Sequence, residues 1–110
     1  LTHLFLNGGG HGIEVTTRSE SPVGAGIAGS SAMNVALTGG LAAFAGRTLS
    51  DDELLTIAMN VEAQVIRVPT GAQDYRPALY GGVSAVELTP YGVTRVALPV
   101  APEALASRVV

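Results

Sequence analysis

Pro22-Val23-Gly24-Ala25-Gly26-Ile27-Ala28-Gly29-Ser30-Ser31-Ala32 is the stretch on which the reading of this chain turns. Three glycines fall between positions 24 and 29, two serines follow, and an apolar run comes next. Glycines let a backbone enter left-handed conformations and let its N–H groups approach an anion closely. A helix beginning directly after such a loop adds the positive end of its dipole. Ser30 and Ser31 contribute hydroxyls that can reach a phosphate oxygen or a bound Mg²⁺. The plainer reading is a tight turn closed by a serine N-cap.

Downstream, the spacing of Met33, Leu37, Leu41 and Phe44 predicts a helix over 30–46 with one apolar stripe. Gly39-Gly40 lies inside it, a pair tolerated in helices where a neighbour packs closely, and Gly46 ends it. Ser50-Asp51-Asp52-Glu53 is a capping box that starts a second helix, with Leu49 and Leu54 placed as a hydrophobic staple. Its expected stripe is Leu54, Ala58, Val61 and Val65, and Pro69 stops it. Residues 70–74 read as a loop, 75–80 as a short helical turn and Gly81-Gly82 as a break. Residues 83–88 and 93–98, flanking Thr89-Pro90-Tyr91-Gly92, predict a β-hairpin. Residues 99–106 lead into 107–110, read as the start of a strand. Upstream, residues 12–19 alternate Ile13, Val15 and Thr17 with Glu14, Thr16 and Arg18, the pattern of a half-buried strand. Residues 1–6 are an apolar stretch running into Asn7-Gly8-Gly9-Gly10.

Composition narrows the classes. The 110 residues suit one domain, and 47% hydrophobic with 14% charged residues is a globular balance. A net charge of -3 offers no basic surface for nucleic acid. There is no cysteine, so disulfides and thiolate metal sites are excluded, and His3 and His11 alone make no zinc site. Residues 21–46 carry no charge, but Pro22, six glycines, Asn34 and Thr38 interrupt any membrane-spanning run. The N-terminus has no basic start and does not read as a signal peptide. A cytoplasmic location fits.

The loop admits three chemical readings. Gly24-Ala25-Gly26-Ile27-Ala28-Gly29 matches the dinucleotide fingerprint letter for letter. That fingerprint needs a buried strand directly before it and an acid at the end of a second strand. Here Ser-Glu-Ser-Pro intervenes, and Asp51 to Glu53 are engaged in starting a helix. A P-loop needs lysine after its last glycine; Ser30 stands there, and all six basic residues are arginines. The surviving reading is a glycine-rich phosphate cradle feeding a helix N-terminus.

Pro22 to Ala32 resembles the second motif of the GHMP kinases, usually written Pro-x-Gly-x-Gly-Leu-Gly-Ser-Ser-Ala, the family of galacto-, homoserine, mevalonate and phosphomevalonate kinases. Ile27 replaces the common leucine, Ala28-Gly29 lengthens the loop by one residue, and Ala28 stands where glycine is commoner. In that family a helix glutamate beyond the serines helps to bind Mg²⁺, and an aspartate in the next loop faces the substrate hydroxyl. Glu62 and Asp74 stand at the corresponding distances. Pro69-Thr70-Gly71-Ala72-Gln73-Asp74-Tyr75 and Tyr80-Gly81-Gly82 resemble the aspartate loop and its glycine pair. Each acid also has an ordinary reading: Glu62 as a helix polar residue, Asp74 as a turn cap. Tyr80 reads as packing.

The resemblance implies an α+β fold, the two-layer α/β nucleotide-binding domain of a GHMP kinase, incomplete and running toward a C-terminal domain. Residues 1–98 would belong to that domain, and 99–110 would be a linker and the start of the next element. It implies ATP and Mg²⁺, with phosphates on Gly24, Ala25, Gly26, Ile27, Ala28, Gly29, Ser30 and Ser31, the metal on Ser30 and Glu62, and Asp74 as catalytic base. Gly71, Gln73, Tyr75 and Arg76 become candidate substrate contacts. The Gln-Asp pair resembles the sugar and sugar-phosphate branch, whereas mevalonate-type members more often carry Gly-x-Asp-Asn. The expected reaction moves the γ-phosphate of ATP to an alcohol of a small molecule, a sugar first, mevalonate or homoserine as the alternative. The family's N-terminal and C-terminal motifs are absent, so the chain reads as part of a longer parent and as inactive alone. A non-catalytic binding domain is the alternative of another class, ahead of a dinucleotide-binding one.

Overall fold

The computed structural model describes Leu1, Phe5, Leu6 and residues 12–108. The order of its elements is α1 (Gly29–Phe44), α2 (Asp51–Ile66), α3 (Tyr75–Tyr80), β1 (Ser84–Thr89), β2 (Gly92–Ala97) and α4 (Pro102–Ala106). Helices plus one antiparallel hairpin make this an α+β chain, with α1, α2 and α3 packed on one another.

The start of α2 follows directly from its sequence. Ser50 Oγ accepts the Glu53 N–H at 3.3 Å, and the Ser50 N–H donates to Glu53 Oε2 at 2.8 Å, so two otherwise orphaned donors are satisfied. Ser50→Ala removes the cap and is expected to destabilise the fold by about 1 kcal/mol, read as a lower midpoint in urea. The Glu53 carboxyl is held below its usual value, first by the Ser50 backbone N–H and then by its hydroxyl. That contribution is present above the ordinary carboxylate pKa and is lost as pH falls through the lowered value, because the unfolded chain takes the proton first.

The buried faces of both long helices keep Leu41 and Ala58 of the expected stripes and are otherwise rotated from them. On α1 the buried residues are Ser31, Val35, Thr38, Leu41 and Ala42, while Met33 is at the surface and Phe44 is 69% exposed. On α2 they are Leu55 and Ala58, and Val65 is 75% exposed. The reason is polar. Asn34 Nδ2 donates to the Ala58 carbonyl at 2.6 Å, tying α1 to α2, and Thr38 returns its hydroxyl to the Asn34 carbonyl at 2.8 Å. Small and hydrogen-bonding residues thus set the helix contact, and the larger apolar side chains fall on either side of it. A Cβ on Gly39 would lie 3.3 Å from Leu54 Cδ1, the close approach expected of the glycine pair, whereas Gly40 faces open space.

Two clusters make the core. Val35, Leu55, Ala58 and Tyr75 form one, with Leu54, Met59 and Leu79 against it; Phe5, Leu41 and Ala42 form the other, with Leu49 and Ile57 against it. Burying Val35 or Leu55 contributes roughly 1.5–3 kcal/mol each. The remaining stripe of α1, Met33, Leu37 and Phe44, borders an apolar cleft of about 820 Å³ against residues 13–21.

Residues 12–20 are not a strand: they carry no ladder, Val15 is 48% exposed, and Arg18 pairs with Glu20 in solvent. Alternation specifies two faces, but a strand also needs a neighbour's edge, and among the described residues β1 and β2 pair only with each other. The hairpin itself is as expected, antiparallel with Val86 opposite Arg95 and Leu88 opposite Val93. Gly81 and Gly82, both at positive φ, separate it from α3. Arg76 donates to the Val93 carbonyl at 3.3 Å, and Arg95 lies 4.5 Å above the Tyr80 ring, fastening it to the helices. Beyond it, Ser107 and Arg108 form a turn after α4, not a strand start. Positions 109–110, His3, His11 and the glycine cluster at 8–10 lie outside the described residues.

Candidate active site

The glycine loop enters α1 through a series of left-handed residues, Gly24 at φ 76°, Gly26 at 70° and Ala28 at 58°. Ala28 therefore stands in the conformation for which glycine is the usual choice, and its Cβ costs roughly 1–2 kcal/mol there. Gly29 serves close approach: a Cβ on it would lie 2.8 Å from Ser21 Cβ. Ala28 is the N-cap residue of α1, and no side chain caps that end. The first-turn N–H groups of the helix are thus left to a ligand or solvent, and Ser30 is not the cap the plainer reading expected.

Opposite the loop stands Glu62, brought onto the inner face of α2 by the same rotation that exposes Val65. Its carboxylate accepts three hydroxyl hydrogen bonds: Ser30 Oγ to Oε1 at 3.1 Å, Ser31 Oγ to Oε2 at 3.2 Å and Tyr75 Oη to Oε2 at 2.6 Å. Ser31 and Tyr75 are buried, whereas Ser30 is exposed. The ordinary reading of Glu62 as a surface polar residue is therefore replaced by that of a carboxylate gathered into a hydroxyl cluster. Burial pushes the Tyr75 hydroxyl up, and its bond to Glu62 raises it further, against the opposing hydroxyls of Thr70 and Ser31.

Loop, serines and acids line one pocket of about 510 Å³: residues 22–31 on one wall, Glu62, Thr70, Gly71 and Asp74 on the other. Asp74 is half-buried at the start of α3 and makes no side-chain cap there. The structure thus brings together Gly24, Ala25, Gly26, Ile27, Ala28, Gly29, Ser30, Ser31, Glu62, Gly71 and Asp74. It places the other substrate candidates elsewhere. Tyr75 is fully buried, the exposed Gln73 lays its amide over Gly71, and Arg76 donates to the Ala72 and Val93 carbonyls. Among the described residues no lysine or arginine lines the pocket. The link of Tyr75 to Glu62 was not legible in the sequence, where a tyrosine beside an acidic loop residue reads as a ligand contact.

The pocket is thus walled by a glycine loop and a helix N-terminus, with two carboxylates facing them. The sequence pattern of the GHMP kinases N terminal domain matches residues 1–82, and the chain belongs to the GHMP kinase family, a family of ATP-dependent small-molecule kinases. No curated protein and no solved structure matches it. None of the helices among the described residues is long and apolar enough to cross a membrane.

Proposed function

We propose that the protein transfers the γ-phosphate of ATP to an alcohol group of a small molecule, a sugar or sugar phosphate, in the cytoplasm. The observation that carries this reading is the single pocket in which the glycine loop and α1 N-terminus face Glu62 and Asp74. Residues 1–98 act as the ATP-binding domain and 99–110 lead out of it, a division supported by α4, which has no buried residue.

The phosphates sit on the backbone N–H groups of residues 24–31, where the left-handed turns and the helix dipole favour negative charge. Among the described residues the pocket lining has no arginine or lysine and carries two carboxylates, Glu62 and Asp74. The donor set fits a hard cation: Ser30 Oγ and Glu62 Oε1 are adjacent oxygens on the exposed side of the cluster. Ser30 and Glu62 would hold Mg²⁺, which when bound supplies the positive charge that offsets the phosphate oxygens. Asp74 orients the attacking hydroxyl and accepts its proton as the new P–O bond forms and the bond to the ADP oxygen breaks. It is suited to this because, among the described residues, its carboxylate is not spent on capping α3. Gly71 lies beside it in the pocket lining and takes the rest of the alcohol; the sequence pair Gln73-Asp74 is what favours a sugar over mevalonate or homoserine.

The test is ADP release by the full-length protein with Mg²⁺–ATP over sugars, sugar phosphates, mevalonate and homoserine, with NAD(H) binding measured in parallel. Release on a sugar or sugar phosphate is expected. Turnover confined to mevalonate or homoserine would overturn the sugar assignment, and NAD(H) binding without any response to ATP would overturn the kinase reading.

A further inference from the structure

We propose that Tyr75 is a positioning residue that holds Glu62 Oε2 on the buried side of the site, so that Oε1 faces the pocket, and in this way sets the affinity for the divalent cation. This rests on the reading of Glu62 as a metal ligand. The two carboxylate oxygens are not equivalent. Oε2 accepts from two buried donors, Tyr75 at 2.6 Å and Ser31 at 3.2 Å, while Oε1 accepts only from the exposed Ser30 at 3.1 Å. The shorter and stronger of the buried pair comes from a ring packed with Val35, Leu55 and Ala58 and fully withdrawn from solvent.

A glutamate side chain has three rotatable bonds and, left alone, would divide its two oxygens between many orientations. A hydroxyl fixed by a packed ring removes that freedom before any ligand arrives. Tyr75 also follows Asp74 directly at the first turn of α3, so the ring that orients the Glu62 carboxylate also anchors the backbone that presents Asp74. The distance between the cation and the accepting alcohol is thereby tied to one side chain. Direct contact with substrate is excluded by the burial of the ring.

The experiment uses the full-length protein, a non-hydrolysable ATP analogue and Mn²⁺, whose binding is followed by water-proton relaxation and needs no turnover. Tyr75→Phe keeps the ring and deletes only the hydroxyl. It is expected to raise the Mn²⁺ concentration for half-saturation by about tenfold or more, the usual consequence of losing a hydrogen bond to a metal-binding carboxylate. Ser31→Ala, which deletes the longer bond to the same oxygen, should shift it the same way by a smaller factor, and it tests the idea should Tyr75→Phe not fold. Unchanged Mn²⁺ binding in folded Tyr75→Phe, with or without a lower melting temperature, would overturn the proposal. So would a raised KM for the alcohol with metal binding unaltered. Glu62→Gln separates the two levels: if it shifts Mn²⁺ binding and Tyr75→Phe does not, only the role of Tyr75 fails. If neither shifts it, the metal-ligand reading of Glu62 fails first.

Discussion

Asp74→Asn is expected to lower kcat by about 10²-fold or more while leaving ATP affinity nearly intact. The residue lines the wall of the pocket across from the glycine loop, so the phosphate cradle does not depend on it. Its side chain makes no cap bond at the start of α3 among the described residues, so the amide removes no cap, and stability should stay within about 0.5 kcal/mol of the parent. What the substitution removes is the proposed proton acceptor. Single-turnover kinetics with saturating Mg²⁺–ATP would show the loss in the chemical step. Near-parental kcat with an unchanged melt would return Asp74 to a turn residue.

Glu62→Gln acts on a different quantity. The amide is nearly isosteric and can still accept hydroxyl hydrogen bonds through its oxygen, so the cluster of Ser30, Ser31 and Tyr75 loses its charge more than its shape. Without that charge the exposed oxygen is a poor partner for a hard cation. The Mg²⁺ concentration for half-maximal rate should rise by on the order of tenfold or more, with the deficit in rate recovered at high metal. A fall in kcat that no amount of Mg²⁺ restores would contradict the assignment and point to Glu62 as part of the proton chemistry instead.

The elements and the site were unequally legible in the sequence. Caps and turns are local chemistry, so Ser50 to Glu53 announced α2, and Thr89 to Gly92 announced the hairpin. Glu62 and Asp74 were legible because their order after the serines follows the GHMP pattern. The faces of the helices were not. Leu41 and Ala58 of the expected stripes are buried, but choosing Met33, Leu37 and Phe44 beside Leu41 weights size, whereas Val35, Thr38 and an amide from Asn34 also make the contact, and small residues approach more closely than large ones can. Residues 12–20 alternate correctly for a strand yet form none, because pairing is a property of two segments and the pattern describes one. The bond of Tyr75 to Glu62 was not legible for a related reason: the two lie on different helices, at a separation that no local spacing rule encodes.

The attachment of the hairpin has a consequence for motion. Beyond Gly81 and Gly82 it is tied to the helices by the Arg76 bond to Val93 and by Arg95 over Tyr80, and every residue lining the phosphate pocket precedes Tyr75. Proteins open in cooperative pieces, and the piece with the fewest buried contacts opens first. Amide protons of β1 and β2 should therefore exchange with solvent sooner than those of α1 and α2. A molecule caught with its hairpin open is expected to keep its glycine turns and both carboxylates in place, so opening at that end of the chain should leave the candidate pocket intact.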